Sequence, residues 1–249
     1  MPLMSTLTDF GLGVVLGCLG GVFGIGGGLM AIPVLVWLLA MNQQLAQGTA
    51  LVMIAPNVLL GFWRYRQHNA IEVKPVVVLG LFSIVSTYAA AKLASHLDAQ
   101  TMRWLFAWFL MGLGAFLLYD IANRRAVHVS KVVLSDRWFP LLGLISGVFS
   151  GLFTVGGGLV VAPTLMKFFG VKKQTLAQGL ALATVTPGAV IALMTYAAAG
   201  KVDWAVGVPL AMGGMVSIRW GVDMAHRLPE KLLRLLFCGL IVATGLLLL

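Results

Sequence analysis

Long apolar runs separated by short polar stretches dominate this chain. Six of them are close to the length of about 17–25 residues that an α-helix needs to cross the hydrocarbon core of a bilayer. The pattern therefore predicts six membrane-crossing helices. The six runs are Leu45–Trp63, Pro75–Ala91, Trp104–Tyr119, Leu176–Ala199, Ala205–Val222 and Leu232–Leu249.

Two further apolar stretches, Phe10–Leu39 and Trp138–Phe169, precede the first and the fourth run, and each is interrupted by three adjacent glycines. Three adjacent glycines would weaken a continuous helix by about 1 kcal/mol each relative to alanine. The arms of the first stretch, Phe10–Phe23 and Leu29–Leu39, would be only about 16–21 Å long at 1.5 Å per residue. Because the hydrocarbon core is about 30 Å thick, we expect each broken segment to be a re-entrant hairpin or a pair of short helices.

The chain contains two copies of one unit. Gly26–Gly28 and Pro33 recur as Gly156–Gly158 and Pro163 at an offset of 130 residues. At an offset of 131 the match continues through Leu45–Gly48 with Leu176–Gly179, Pro56 with Pro187, Tyr65 with Tyr196, and Leu97 and Arg103 with Leu228 and Arg234. We therefore expect a first membrane repeat, a cytoplasmic linker and a second membrane repeat at residues 1–122, 123–137 and 138–249.

The composition supports a membrane location. Hydrophobic residues make up 60% of the 249 residues and charged residues 10%, and the mean hydropathy is +0.98. A water-soluble domain of this size does not need so much apolar material for its core. The net charge of +9 would suggest nucleic acid in a soluble protein, but here the basic residues lie in short loops between spans. We therefore expect an all-α integral membrane protein that contacts lipid and does not bind nucleic acid.

The basic residues also predict the topology. Of the 17 lysines and arginines, 14 fall in four clusters, which the positive-inside rule places in the cytoplasm. Each broken segment then returns to the side from which it came, and three crossings per half invert the second repeat relative to the first. Both termini are thus predicted to be extracytoplasmic. The clusters are Arg64, Arg66 and Lys74; Arg124, Arg125, Lys131 and Arg137; Lys167, Lys172 and Lys173; and Arg219, Arg227, Lys231 and Arg234.

The glycine breaks suggest a binding site. A helix that begins within the membrane presents unpaired backbone N–H groups and the positive end of its macrodipole, which favour an anion. We expect Leu29 and Leu159 to begin such helices, and in an inverted repeat the two ends would converge near the membrane centre. The candidate substrate-binding residues are Gly26, Gly27, Gly28, Gly156, Gly157, Gly158, Gln47, Gln178, Thr154, Thr49 and Asn57.

The side chains in this set have a second interpretation. Amides and hydroxyls within a membrane need partners, and a neighbouring helix would satisfy them as well as a ligand would. The recurrence of a glutamine beside each break favours Gln47 and Gln178 as site residues. Thr154 would either donate its hydroxyl to the anion or cap the helix that follows.

Ionisable residues are confined to the ends of the predicted spans and to the loops. This holds for all eight acids and all four histidines, so the spans offer no carboxylate for a proton relay, no metal-ligand pattern and no catalytic set. We therefore expect no enzyme activity, no catalytic residue, no bound metal and no cofactor.

The paired segments GVFGIGGGLMAIPVL and GLFTVGGGLVVAPTL, each followed by an LAQG stretch and a span with a proline, resemble the sulfite exporter TauE/SafE family of membrane permeases. The resemblance covers almost the entire chain. It implies a multi-pass protein of the bacterial cytoplasmic membrane that moves sulfur-containing anions such as sulfite, sulfoacetate or other sulfonates, usually outward.

The expected function is thus a transporter that holds a small anion between the two glycine breaks while the repeats exchange access. Two alternatives stay open at this point, an anion channel and a membrane scaffold or enzyme subunit that transports nothing. The expected partners are a small anionic substrate and lipid, with a homodimer as a further option.

Overall fold

The computed structural model describes residues 2–68, 73–122, 135–154, 156–171 and 173–248, and within these ranges it contains helices and no strand. Ten α-helices follow one another, with one short 3-10 turn at Asp136–Trp138 before the sixth. The helices are α1 Pro2–Phe23, α2 Gly28–Leu38, α3 Gln43–His68, α4 Val73–His96, α5 Ala99–Ala122, α6 Phe139–Phe153, α7 Gly156–Phe168, α8 Gln174–Ala198, α9 Trp204–Arg227 and α10 Glu230–Leu248.

Six helices are long and apolar enough to cross a membrane, and this confirms an all-α integral membrane protein. Large apolar side chains such as Trp108 and Trp220 are exposed on their outer faces, as lipid contact requires. The six apolar stretches are Thr6–Phe23, Gln43–His68, Val76–His96, Ala99–Tyr119, Gln174–Ala198 and Trp204–Arg227.

One of the six was not among the predicted crossings. Helix α1 begins at Pro2 rather than at Phe10, so its 22 residues span about 33 Å, and the predicted short first arm is wrong. Polar residues at the start of α1 concealed this extension in the sequence. The predicted last crossing, Leu232–Leu249, lies in α10, whose apolar stretch within the described residues is Leu235–Leu246.

The predicted linker, 123–137, lies largely outside the described residues. Only residues 135–137 of it are described, and the 3-10 turn begins there.

Glycines spaced by four residues bring α1 against α9 and α6 against α4. Along α1, three glycines face three positions of α9 in the same order, so the two helices run parallel: Gly13 with Leu210, Gly17 with Gly214 and Gly21 with Ile218. The same arrangement recurs between α6 and α4: Gly143 with Leu79, Gly147 with Ser83 and Gly151 with Thr87. The α6–α4 contacts are the repeat counterparts of the α1–α9 contacts: α6 of the second half corresponds to α1 of the first, and α4 of the first half corresponds to α9 of the second.

The long helices α3 and α8 pack against each other at the centre and carry the most buried residues of the fold. They run antiparallel, because Tyr65 near the end of α3 meets Gln178 near the start of α8, and Tyr196 meets Gln47 in the reverse sense. Helices α2 and α7 lie beside α3 and α8, and α5 pairs with α10. Each broken segment is therefore held against the central helix pair.

The close packing of α1 on α9 predicts a position-specific cost of adding one methyl group. A Cβ at Gly13 would overlap the carbonyl oxygen of Leu210, whereas a Cβ at Gly11 on the same helix would meet nothing within 4 Å. We expect Gly13→Ala to lower the free energy of unfolding by about 1–3 kcal/mol, a range typical of overpacking, and Gly11→Ala to leave it unchanged or raise it. Thermal melts of the purified protein in detergent measure both; equal melting temperatures for the two variants would contradict this packing.

Candidate functional site

The first helix break comprises Gly24–Gly27, between the end of α1 and the start of α2. Gly24, Gly26 and Gly27 have φ values of +66°, +68° and +90°, which side chains with a Cβ rarely adopt. A Cβ at Gly27 would also lie 2.7 Å from the carbonyl oxygen of Leu16. Glycine is therefore needed here both for the backbone conformation and for the close approach of α1. Helix α2 begins at Gly28, one residue before the predicted Leu29.

The second break is shorter and is built differently. Its turn begins at Thr154, which has a φ of +61°, and α7 begins at Gly156. The prediction that Leu159 begins this helix is wrong, because the left-handed Thr154 ends α6 and the three glycines form the first turn of α7. Gly158 in that turn faces open space, since a Cβ there would meet only Val185, at 3.7 Å.

The two breaks line one small cavity. Gly24 and Ile25 border it from the first break, and Thr154 and Gly158 from the second. The rest of its wall is aliphatic and comes from α3 and α8: Ile54, Val58, Ala181, Leu182 and Val185. The cavity measures about 10 Å³, which is room for about one water molecule and not for an oxyanion. The structure thus brings the two breaks together in an occluded arrangement.

The two predicted glutamines are both buried, but they differ in their partners. Tyr65 donates its hydroxyl to Gln178 Oε1 at 3.0 Å, and Gln178 Nε2 donates to the carbonyl oxygen of Phe23, also at 3.0 Å. In this way Gln178 caps the carbonyl end of α1. Tyr196 likewise donates to Gln47 Oε1 at 3.0 Å, but Gln47 Nε2 has no hydrogen-bond partner.

The second break differs from the first at Thr154. Its hydroxyl donates to the carbonyl oxygen of Phe153 at 2.7 Å, and Phe153 corresponds to Phe23 in the repeat. In the second half Thr154 thus bonds to the carbonyl that corresponds to the one Gln178 uses in the first half, while Gln47 Nε2 has no hydrogen-bond partner. The hydroxyl of Thr154 therefore closes the end of α6; its predicted contact with an anion and its predicted cap of the following helix stay predictions.

The last two predicted side chains hold backbone segments in place. Asn57 lies against the first break, where its Nδ2 donates to the carbonyl oxygen of Gly26 at 3.4 Å, and its Oδ1 has no partner. Thr49 lies away from the cavity, and its hydroxyl accepts a hydrogen bond of 2.9 Å from the backbone N–H of Asp203. Thr49 thus joins α3 to the start of α9 and does not border the cavity.

Sequence reasoning did not single out three serines beside the second break. Ser83, Ser146 and Ser150 are fully buried, and none of their hydroxyls has a hydrogen-bond partner. The repeat alignment contained a signal for them, because the corresponding residues of the other half are Gly214, Leu16 and Gly20, which have no polar side chain. Polar side chains present in only one of two repeats mark a place where the halves differ chemically.

Charged residues join α3 to α9 at one end of the bundle. Arg64 donates two hydrogen bonds of 2.9 Å to the carboxylate of Asp223, and His68 lies 3.3 Å from the same group. The corresponding positions of the other half, on α8 and α4, carry no such ion pair; they border a groove of about 450 Å³ lined in part by Lys92, Ser95, Thr195 and Ala199. The two ends of the bundle are thus closed to different degrees.

The strained backbone of Thr154 yields a prediction about stability. Replacement by glycine, the residue at the corresponding position 24, would relieve the strain of the positive φ. We expect Thr154→Gly to raise the free energy of unfolding by about 1 kcal/mol. Thr154→Val keeps the branched side chain and removes the hydroxyl, so we expect it to lower stability. Thermal melts of both variants measure this, and a Thr154→Gly protein less stable than Thr154→Val would contradict the assignment.

Comparison with known proteins identifies a family and several relatives. The sulfite exporter TauE/SafE family matches the chain over residues 10–248. A probable membrane transporter protein of Methanocaldococcus jannaschii is 27% identical over 253 residues, covering 94% of this chain and 92% of its own length. Probable membrane transporter proteins of Xylella fastidiosa and Bacillus subtilis (YdhB) are 26% and 27% identical, covering 97% and 93% of this chain and 94% of their own lengths in both cases.

No solved structure matches the chain. The family match begins within α1 and extends through both helix breaks and helices α2–α10, and it confirms the resemblance drawn from the doubled glycine motif. The relatives are named as membrane transporters throughout. The chain belongs to the sulfite exporter TauE/SafE family, and it is a multi-pass membrane transporter.

Proposed function

We propose that this transporter carries small sulfur-containing anions, such as sulfite, sulfoacetate or other sulfonates, out of the cell across the cytoplasmic membrane. The observation that carries the proposal is the meeting of the two helix breaks at one buried cavity. The substrate class comes from the family description, sulfite exporter. Transport of this kind needs no chemical step, and no catalytic residue is part of the proposal.

The chemistry of the breaks suits an anion. The first N–H groups of α2 and α7 have no partner within their helices, and the positive dipole ends of both helices point toward the breaks. Glycines keep this backbone free of side chains, most clearly at Gly158. None of the described residues that line the cavity is charged, so a bound anion would be held by neutral donors and released easily.

We further propose that the two repeats have inverted topology in the membrane. Three features support this proposal. The contacts of α1 with α9 recur as contacts of α6 with α4, and in both cases the two helices run parallel although they belong to opposite halves. The corresponding helices α3 and α8 run antiparallel. With the basic clusters in the cytoplasm, both termini are extracytoplasmic. Inverted repeats of this kind exchange access by moving one part against the other around a fixed site.

The ion pair of Arg64 and Asp223 fits a closed cytoplasmic end. It joins α3 to α9 beside the basic residues that the positive-inside rule assigns to the cytoplasm, while the corresponding end of α4 and α8 carries a groove. In alternating access, the transporter passes through an intermediate in which the binding site is closed to both sides of the membrane. A small buried cavity, with an ion pair at one end of the bundle and a groove at the other, fits such an intermediate. The cavity of about 10 Å³ also favours a carrier over an open channel.

Blocking the cavity should abolish anion flux without unfolding the protein. In Gly158→Val the new Cβ meets only Val185, so the side chain fills the cavity and does not overlap backbone. We expect the variant in proteoliposomes to lose at least tenfold in sulfite flux, whereas Gly112→Val, at an exposed position of α5 with nothing within 4 Å, keeps it. Undiminished flux in Gly158→Val would contradict the site, and a wild-type protein that moves none of the anions would favour the scaffold.

Breaking the ion pair should open the cytoplasmic end. The pair is partly exposed, and ion pairs of this kind are weak, so its loss should shift the balance between closed and open states only modestly. In a background without Cys18 and Cys238, we expect Asp223→Asn to increase the rate at which a thiol reagent applied from the cytoplasmic side labels Ile25→Cys. The charge exchange Arg64→Asp with Asp223→Arg should restore slow labelling. Equal rates in all three proteins would rule out this pair as a gate.

A further inference from the structure

The buried hydroxyls beside the second break pack against two glycines. A Cβ at Gly188 on α8 would lie 2.9 Å from the Thr87 hydroxyl oxygen, 3.3 Å from that of Ser83 and 3.6 Å from that of Ser150. A Cβ at Gly157, in the first turn of α7, would lie 2.9 Å from the Ser146 hydroxyl oxygen. Helices α4, α6, α7 and α8 thus pack closely around these hydroxyls, and the two glycines bring bare backbone into contact with them.

The corresponding place in the other half is filled by the protein itself. There Asn57 takes the position of Gly188, and its amide lies against Gly214, the counterpart of Ser83. The second half therefore lacks the large amide and has serines instead of Gly214, Leu16 and Gly20. In one repeat an amide side chain occupies this place, and in the other repeat hydroxyls pack directly against the bare backbone of Gly188.

The state of the hydroxyls indicates what kind of ligand would fit. Thr87 already donates to the carbonyl oxygen of Gly147 at 3.1 Å, but the three serine hydroxyls have no acceptor. A buried hydroxyl without any partner is unfavourable, and an oxygen that accepts its O–H would relieve the unpaired donor. A cation would leave the three O–H groups without an acceptor, whereas a single oxygen of an oxyanion accepts two or three of them.

We propose that Ser83, Ser146 and Ser150 bind one oxygen atom of the transported oxyanion, beside the first turn of α7. This inference rests on the proposed function and makes the second half of the protein the principal binding half. The hydroxyls pack against Gly188 and Gly157 in this conformation, so the oxygen reaches them only after α7 or α8 moves away, and the N–H groups of the first turn of α7 then add donors. Asn57 in the first half packs against the opposing break and binds no substrate.

Serine-to-alanine variants test the proposal. Because the three hydroxyls have no partner in the protein, we expect Ser83→Ala, Ser150→Ala and the triple variant with Ser146→Ala to melt no lower than wild type without anions. Sulfite affinity, measured from the thermal shift with potassium sulfite against potassium chloride at equal ionic strength, should fall about tenfold for each single variant. Ser217→Ala is the matched control, because this serine is equally buried but donates to the carbonyl oxygen of Gly214.

A second pair of variants tests access to the hydroxyls without removing one. Gly188→Ala places a methyl group among the hydroxyls and should abolish the sulfite-dependent shift, whereas Gly80→Ala, whose Cβ meets only Pro187 at 3.4 Å, should keep it. Unchanged sulfite affinity in the serine variants and Gly188→Ala would overturn this inference and leave the proposed function standing. A shift that follows sodium whatever the anion would overturn it as well. If no anion from a panel of sulfite, thiosulfate and sulfonates stabilises wild type, the proposed function itself fails.

Discussion

Every backbone N–H and C=O group inside a bilayer must find a partner within the protein, and a helix break exposes several of them at once. This chain breaks a helix twice and satisfies the exposed carbonyls in two ways. At the first break, Gln178 of the opposite repeat donates to Phe23; at the second, Thr154 donates to its neighbour Phe153. The first solution ties the two repeats together, and in the second half Gln47 Nε2 has no hydrogen-bond partner. The two breaks therefore differ chemically although their glycine motifs repeat.

A nearly symmetric fold thus contains a polar site that is not symmetric. The glycine contacts of α1 with α9 are repeated by α6 with α4, and the tyrosine–glutamine pairs are repeated between α3 and α8. The departures from symmetry cluster beside the second break, where Gly188 replaces Asn57 and serines replace apolar or absent side chains. In the mechanism proposed above, the symmetry would give the transporter two related conformations, and the differences between the halves would determine where the ligand is held. The occluded cavity indicates that helices must move before an anion enters.

Much of the fold could be predicted from the sequence because the physical signals are local. Apolar runs of span length predicted five of the six long helices, and the glycine triplets predicted both breaks. The length of α1 could not be read, because Thr6, Thr8 and Asp9 interrupt the apolar pattern although they lie within the helix. The start of α7 was predicted at Leu159 and not at Gly156, because glycine has a low helix propensity. Packing nonetheless stabilises the three glycines as the first turn of the helix. The aliphatic wall of the cavity and the unpartnered serines depend on contacts between distant segments, which no local pattern reports.

The most direct test of an anion site between the two breaks is an experimental structure with a heavy analogue of the substrate. Selenite has the shape and charge of sulfite, and its selenium is located by anomalous diffraction. We expect a selenium peak beside the first turn of α7, with one selenite oxygen within hydrogen-bonding distance of Ser83 and Ser150. The cavity in that conformation should be larger than the present volume of about 10 Å³. A protein that transports sulfite but shows selenium only at surface sites, with the space between the breaks still filled by Ile54, Val58 and Leu182, would contradict it.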